Sequence, residues 1–196
     1  TCCHTHLIGV VKIMIYQKLT EFKVPEGFRG RSVILVQLWW FVQATLFSLS
    51  PQFAYPWRNF LLRCFGAKIG KGVIIRPTVR ITYPWKLTIG EHAWVGDYAE
   101  LYTLGNITIG SNTVVSQHCY LCTGSHDYQS EAFDIYALPI VIEDEAWLAT
   151  DVFIAPGVTI GKGALIGARS SVYKNMPEGM ICKGSPAMAV KKRTIA

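Results

Sequence analysis

A six-residue pattern constrains this chain more than anything else in it. It reads IGKGVI from Ile69, IGEHAW from Ile89 and IGSNTV from Ile109, and after a gap resumes as IEDEAW from Ile142, LATDVF, IAPGVT, IGKGAL and IGARSS, ending near Val172. Each unit opens on an aliphatic residue, usually carries Gly, Ala or an acid second, and places a small or slender residue fifth, among them Val73, Ala93, Cys119, Ser125, Ala146 and Ser170. Side chains alternate along an extended chain, so the first and fifth residues of a unit point the same way. One coil cannot bury that inner face alone; stacked coils can. The spacing predicts a parallel β-helix of hexapeptide repeats over residues 67–177, with the second-position glycines admitting tight corners.

The register adds where the scaffold is interrupted. Ile69, Ile89 and Ile109 are 20 residues apart, where three hexapeptides would give 18. The extra residues fall around Tyr83–Lys86 and Tyr102–Asn106, and a loop at about 124–141 breaks the pattern outright. The later coils are clean. Loops mounted on a rigid scaffold are where chemistry usually sits.

Ahead of the repeat, residues 1–13 (TCCHTHLIGVVKI) read as a leader or upstream sequence, with His4 and His6 able to bind metal only adventitiously. Residues 14–66 form an irregular and helical N-terminal region. Within it, residues 33–49 (VILVQLWWFVQATLFSL) contain only Gln37, Gln43, Thr45 and Ser48 as polar residues. Three readings fit that segment: a core or subunit-packing helix, an interfacial membrane helix, and a membrane span at the lower limit of length. The glutamines and the lack of flanking charge clusters disfavour the span. Trp57–Phe65 reads as a short amphipathic helix with Arg58 and Arg63 outward and Gly66 as its C-cap. The tail, residues 178–196, is expected to fold back over the last coil.

A net charge of +6, with no basic run longer than Lys191-Lys192-Arg193 and no nucleic-acid motif, gives no reason to expect a nucleic-acid partner. Six scattered cysteines make no disulfide framework and fit reduced thiols in the cytoplasm. Cys119 and Cys122 form a C-x-x-C, but alternation places Cys119 inward and Cys122 outward, which argues against a shared metal or redox site.

The interrupting loop begins CTGSHDYQ. His126 follows the inward Ser125 and should project outward at a corner, at the root of a loop carrying Asp127, Tyr128, Glu131, Phe133 and Tyr136. Imidazole ordinarily titrates near neutral pH, which suits a general base; an ordinary surface histidine is the plainer alternative.

Blocks across residues 22–193 carry a resemblance. They are GFRGRSVILVQLWWFVQATLF at 27–47, FGAKIGKGVIIRPTVRITYPWKLTIG at 65–90, WVGDYAELYTLGNITIG at 94–110, YLCTGSHDY at 120–128, WLATDVFIAPGVTIG at 147–161 and IGARSSV at 166–172. With these the chain resembles the hexapeptide-repeat acyltransferases, most nearly the acetyltransferases of colanic acid biosynthesis. The resemblance implies an all-β left-handed parallel β-helix forming a homotrimer, with sites between subunits. It implies an acetyl-CoA-dependent O-acetyltransferase acting on a sugar or glycan hydroxyl, with His126 as catalytic base and no metal. Asp97 and Tyr98 match the acceptor-binding segment, although Asp97 would serve equally as a corner residue capping a turn. Trp147, Thr150 and Ala168 match positions along the pantetheine arm of the cofactor. Lys174 and Lys191 are placed to neutralise its phosphates, while Met188 stands where relatives often carry arginine. The same fold also hosts acetylation of small molecules, scaffold subunits and the zinc hydratases of the γ-carbonic-anhydrase type, for which His92, His118 and His126 would be the candidate ligands. The implied setting is cytoplasmic, with peripheral membrane contact through residues 33–49 one option.

Overall fold

The structure, a computed structural model, describes residues 15–194; the expectations for residues 1–13, including His4 and His6, lie outside the described residues. The repeat folds as read, into a left-handed parallel β-helix. Its first rung is β1 (Lys68–Ile69), β2 (Ile74–Ile75) and β3 (Arg80–Ile81). The second is β4 (Leu87–Ile89), β5 (Trp94–Val95) and β6 (Glu100–Tyr102), and the third β7 (Ile107–Ile109), β8 (Val114–Val115) and β9 (Tyr120–Cys122). An antiparallel hairpin, β10 (Gly124–His126) and β11 (Ile135–Ala137), then leaves the solenoid. The stack resumes with β12 (Ile140–Ile142), β13 (Trp147–Leu148) and β14 (Phe153–Ile154), followed by β15 (Thr159–Ile160), β16 (Leu165–Ile166) and β17 (Ser171–Val172). The first strands of the rungs make one face, the second strands another and the third strands the last.

The inserted residues leave the register intact. Ile69 pairs with Ile89, Ile89 with Ile109, Ile109 with Ile142 and Ile142 with Ile160, although the third step skips the whole hairpin. All these isoleucines are buried, as are the fifth-position residues Val73, Ala93, Thr113, Cys119, Ala146 and Ala164. Ser125 is a correction: it is only half-buried, because the chain has already left the coil for the hairpin, and its neighbour Thr123 holds the last inward place. Cys122 is another. Expected to face solvent, it is buried, its thiol donating to the Gly124 carbonyl (3.1 Å) where the chain turns into the hairpin.

The second-position glycines owe their place to proximity rather than to backbone freedom. The left-handed corner conformation sits two residues later, often on non-glycine residues such as His92 (φ 56°), Asn112 (φ 54°) and Glu145 (φ 61°). A Cβ on Gly110 would lie 2.5 Å from the Asp144 backbone nitrogen of the next rung. Gly110→Ala must therefore push two rungs apart, and a loss of about 1–3 kcal/mol is expected. Its denaturation midpoint should fall clearly below that of the wild type; an unchanged midpoint would show that the rungs yield without cost.

The N-terminal region forms a lid on the first rung. Helix α1 (Val33–Val42) starts at the N-cap Ser32 and runs on as a π-helical turn, Gln43–Phe47; α2 (Tyr55–Cys64) ends at Gly66 in the left-handed conformation (φ +88°). The first-rung strands lie at the ends of their sheets, with backbone groups that no earlier rung can satisfy. The helices supply the partners. Trp39 Nε1 donates to the Ile81 carbonyl (2.8 Å), and Gln43 Oε1 accepts from the Ile81 amide (2.7 Å). Asn59 Nδ2 donates to the Val73 carbonyl (2.8 Å), and Arg63 Nη2 donates to that of Ile69 (2.8 Å). Arg58, expected outward, is fully buried instead: its guanidinium bonds the Ile75 carbonyl of β2 and ties the loop after α1 to the prism. The amphipathic pattern misassigns it because an edge strand is a polar partner that periodicity cannot see. At the other end, β18 (Met180–Gly184) adds in parallel to β16, and β19 (Ala187–Lys192) folds back antiparallel onto it.

Candidate active site

His126 closes β10, opposite Ile135 in the hairpin. Its Nδ1 lies 2.7 Å from the Phe133 carbonyl oxygen. A carbonyl can only accept, so Nδ1 carries the proton and Nε2 is left as the unprotonated nitrogen of the neutral ring. The ring stacks on Phe133 at 4.1 Å between centroids and 9° between planes, and Phe22 meets it from the N-terminal segment at 5.6 Å. Phe133 adopts a left-handed backbone (φ 55°), unusual for a residue of its bulk, and that conformation belongs to the turn that aims its carbonyl at the imidazole. The turn is braced by Ser130 Oγ donating to Asp134 Oδ2 (2.7 Å) and by the Asp127 amide donating to the Asp134 carbonyl (2.8 Å). Lys18 pins the N-terminal segment to the same loop, its amide bonding the Glu131 carbonyl (2.6 Å) and its ammonium facing the Glu131 carboxylate (3.2 Å).

A second set of residues gathers along the corner between the second and third faces. Asp97 and Tyr98 follow β5, Thr150 follows β13 and Ala168 follows β16. Backbone bonds stack these corners: His118 N to Asp97 O (2.9 Å), Asp151 N to Gln117 O (3.0 Å) and Arg169 N to Thr150 O (2.9 Å). Trp147 lies beside this column on the second face, its indole Nε1 donating to Ser116 Oγ (3.0 Å). A groove of about 510 Å³ runs there, between Tyr55, Trp94, Tyr98, Gln117 and His118. The Tyr98 ring stacks on His118 at 5.1 Å. Asp97 is tied down at both oxygens, accepting from Thr78 Oγ1 (2.8 Å) and pairing with Arg76 (3.3 Å), so its carboxylate shapes the groove wall.

Six of the eight expected site residues thus share one side of the prism: Asp97, Tyr98, Thr150 and Ala168 at the corner, Trp147 on the second face, and Lys191 in β19, which extends that face. The remaining two, His126 and Lys174, belong to the corner between the third and first faces. One chain does not bring its histidine to its own groove. Trp94, Gln117 and His118 were not singled out for the groove from sequence, although they occupy the second-face and corner positions of neighbouring rungs and the repeat spacing could have found them. The three histidines weighed as zinc ligands sit on three different edges, and among the described residues no group of three or more His, Cys, Asp or Glu gathers. Burial pushes the Cys119 thiol up to about 11, and it donates to the Ala149 carbonyl (3.1 Å), which fits an inert core residue.

No family model matches the chain. Over 177 residues it is 63% identical to the provisionally named colanic acid biosynthesis acetyltransferase WcaF of Escherichia coli K12, an alignment covering 90% of this chain and 97% of that protein. It is 32% identical over 137 residues to nodulation protein L of Rhizobium meliloti, covering 68% of this chain and 74% of the relative. Among solved structures, a maltose O-acetyltransferase from Clostridium difficile 630 matches with a TM-score of 0.76 at 26% identity, over 84% of this chain and 90% of that one. A galactoside acetyltransferase in complex with coenzyme A shares the fold with a TM-score of 0.78 at 23% identity, over 91% and 92% of the two chains. Such identity along nearly the whole length of an acetyltransferase, on the solenoid described above, means that the chain belongs to the hexapeptide-repeat acetyltransferases.

Proposed function

We propose that this protein transfers the acetyl group of acetyl-CoA directly to a sugar hydroxyl in the synthesis of a colanic-acid-like exopolysaccharide, with His126 as general base. The observation that carries the base assignment is the bond between His126 Nδ1 and the Phe133 carbonyl, which leaves Nε2 free to accept a proton. As the acceptor oxygen attacks the thioester carbonyl, Nε2 takes the hydroxyl proton; a C–O bond forms, the C–S bond breaks, and the imidazolium returns the proton to the departing thiolate. Stacking on Phe133 and the tilted contact of Phe22 keep the ring from turning away. The relatives' names, for colanic acid synthesis and for galactoside and maltose acetylation, support the acceptor class, and the coenzyme A complex of the galactoside acetyltransferase supports the donor. Acetyl-CoA as donor fits a cytoplasmic site of action.

Because His126 and the groove lie on different edges, the working site needs the histidine edge of one copy beside the groove of the next, as in a homotrimer. The groove side would hold the cofactor: Trp147 and Thr150 along the pantetheine arm, Ala168 giving it room, Lys191 meeting phosphate, and Lys174 reaching it from the neighbouring copy. Tyr98 and Asp97 would shape the acceptor end. Thiol release from acetyl-CoA across free, nucleotide-linked and lipid-linked sugars tests the reaction; no acceptor-dependent release with any of them would remove the proposal's basis. Hybrid assemblies test the shared site. Mixing His126→Ala with Ala168→Trp chains, each inactive alone, should restore about a quarter of wild-type activity if each site takes its base from one copy and its groove from another. A site within one chain would restore none. Trp147→Ala should raise KM for acetyl-CoA about tenfold with little change in kcat, as expected for a side chain that binds without touching the reacting atoms.

A further inference from the structure

The helical lid has an outer face that the solenoid does not use. On α1 the inward residues are Val36, Trp39 and Val42, while Ile34, Leu38 and Phe41 project from the opposite side. Ile34 is 82% exposed, and beyond the π-helical turn Leu49 is 80% and Phe53 79% exposed. Leu46, Leu49 and Trp57 line one shallow apolar groove, and Trp57 stacks on the exposed Phe60 at 5.9 Å. These side chains give the lid an apolar outer surface, with two tryptophans partly exposed beside it, Trp40 on the flank of α1 and Trp57 on α2. It lies across the end of the prism, since α1 and α2 bond the edge strands of all three faces.

Charge is distributed along the same axis. Residues 27–90, which comprise the lid and most of the first two rungs, hold nine Lys and Arg and no Asp or Glu; all thirteen acidic residues of the chain lie elsewhere. Arg31 before α1, Lys68 on the first face, Lys71 at the next corner and Arg80 on the third face are all exposed and ring the prism just beneath the apolar surface. An apolar, tryptophan-bearing plate with a basic first-rung rim, the acids Glu91 and Glu100 standing one rung further from it, is complementary to a bilayer whose headgroups are anionic. No helix among the described residues is long and apolar enough to cross a membrane, so the fit is to its surface. We propose that the lid docks the enzyme end-on to an anionic lipid bilayer, with Ile34, Phe41, Leu49 and Phe53 entering the interface and Arg31, Lys68, Lys71 and Arg80 meeting the headgroups.

Co-sedimentation of the full chain with phosphatidylcholine vesicles, with and without about a third phosphatidylglycerol, tests this; partition should favour the anionic vesicles by about tenfold or more and weaken as salt rises. The triple variant Ile34→Ser/Phe41→Ser/Leu49→Ser should lose that partition by about tenfold, with its thermal melt and its mass by light scattering unchanged. Arg31→Glu/Lys68→Glu, which leaves the apolar face whole, should abolish the preference between the two vesicles. Absence of partition into either vesicle, or full partition of the triple variant, would overturn the proposal. A drop in assembly mass in the triple variant would also overturn it, by giving the face to a second copy of the chain.

Discussion

His126→Ala should lower kcat by about 10²–10⁴-fold, the share a positioned base contributes to proton transfer. Without a base the acceptor hydroxyl is a poor nucleophile, and no other side chain on the hairpin has its lone pair fixed as Nε2 is. The loss should fall on kcat, with KM for acetyl-CoA little moved, because the expected cofactor residues other than Lys174 lie on the other side of the prism. The fold should survive, since His126 sits on the hairpin and carries no rung. Thiol release under saturating donor, paired with a melting curve, reads both effects. Turnover within a few-fold of wild type would place the base elsewhere.

Arg58→Ala should be the most damaging single change outside the site. The guanidinium is fully buried and donates to the carbonyls of Ile75 (2.7 Å), Pro51 (2.8 Å) and Gln52 (2.6 Å) and to Ser50 Oγ (2.8 Å). Truncation strands the buried Ile75 carbonyl, leaves those of the exposed Pro51 and Gln52 to water, and opens a void the size of a long side chain. One unsatisfied buried acceptor costs about 1–3 kcal/mol and the void adds a similar amount, for an expected total of about 3–5 kcal/mol. For a chain of this size that corresponds to a fall in Tm of about 10 °C. Arg58→Lys should recover only part, since one ammonium cannot span three directions that the planar fork reaches. A melt within about 2 °C of wild type would mean that water replaces the guanidinium at little cost.

The scaffold was legible because the repeat encodes one structural decision many times over. An aliphatic residue at Ile69, Ile89, Ile109, Ile142 and Ile160 states the register without reference to anything distant, and the two-residue insertions show in the same count. What failed to show was whatever depends on a partner from outside the local pattern. Arg58 looked like a surface residue because its partners are carbonyls on an edge strand and in a preceding loop. Ser125 looked inward because hexapeptide arithmetic carries on past the point where the chain departs. The second-position glycines were read as admitting tight corners without Cβ clashes, but the local pattern did not show that the clash is with the backbone of the next rung. The site divided in the same way. Resemblance marked His126, Trp147 and Thr150, but the carbonyl of Phe133, which selects the tautomer, carries no side-chain signature at all. Nor did one linear sequence reveal that the expected residues occupy two edges of a prism.

The hairpin leaves the stack after Thr123 and rejoins it at Ile140, which pairs with Ile107 as though nothing lay between. The coil therefore does not register what happens in the excursion. Its length and composition can drift, be shortened or be exchanged for another arm while the rungs above and below keep their pairing. Such a chain separates heritable changes of two kinds: those in the coil are paid for in folding, while those in the excursion leave the stack standing. A lineage built on this plan can edit some fifteen residues without rebuilding the scaffold, and a designer can graft arms between relatives at the same two points.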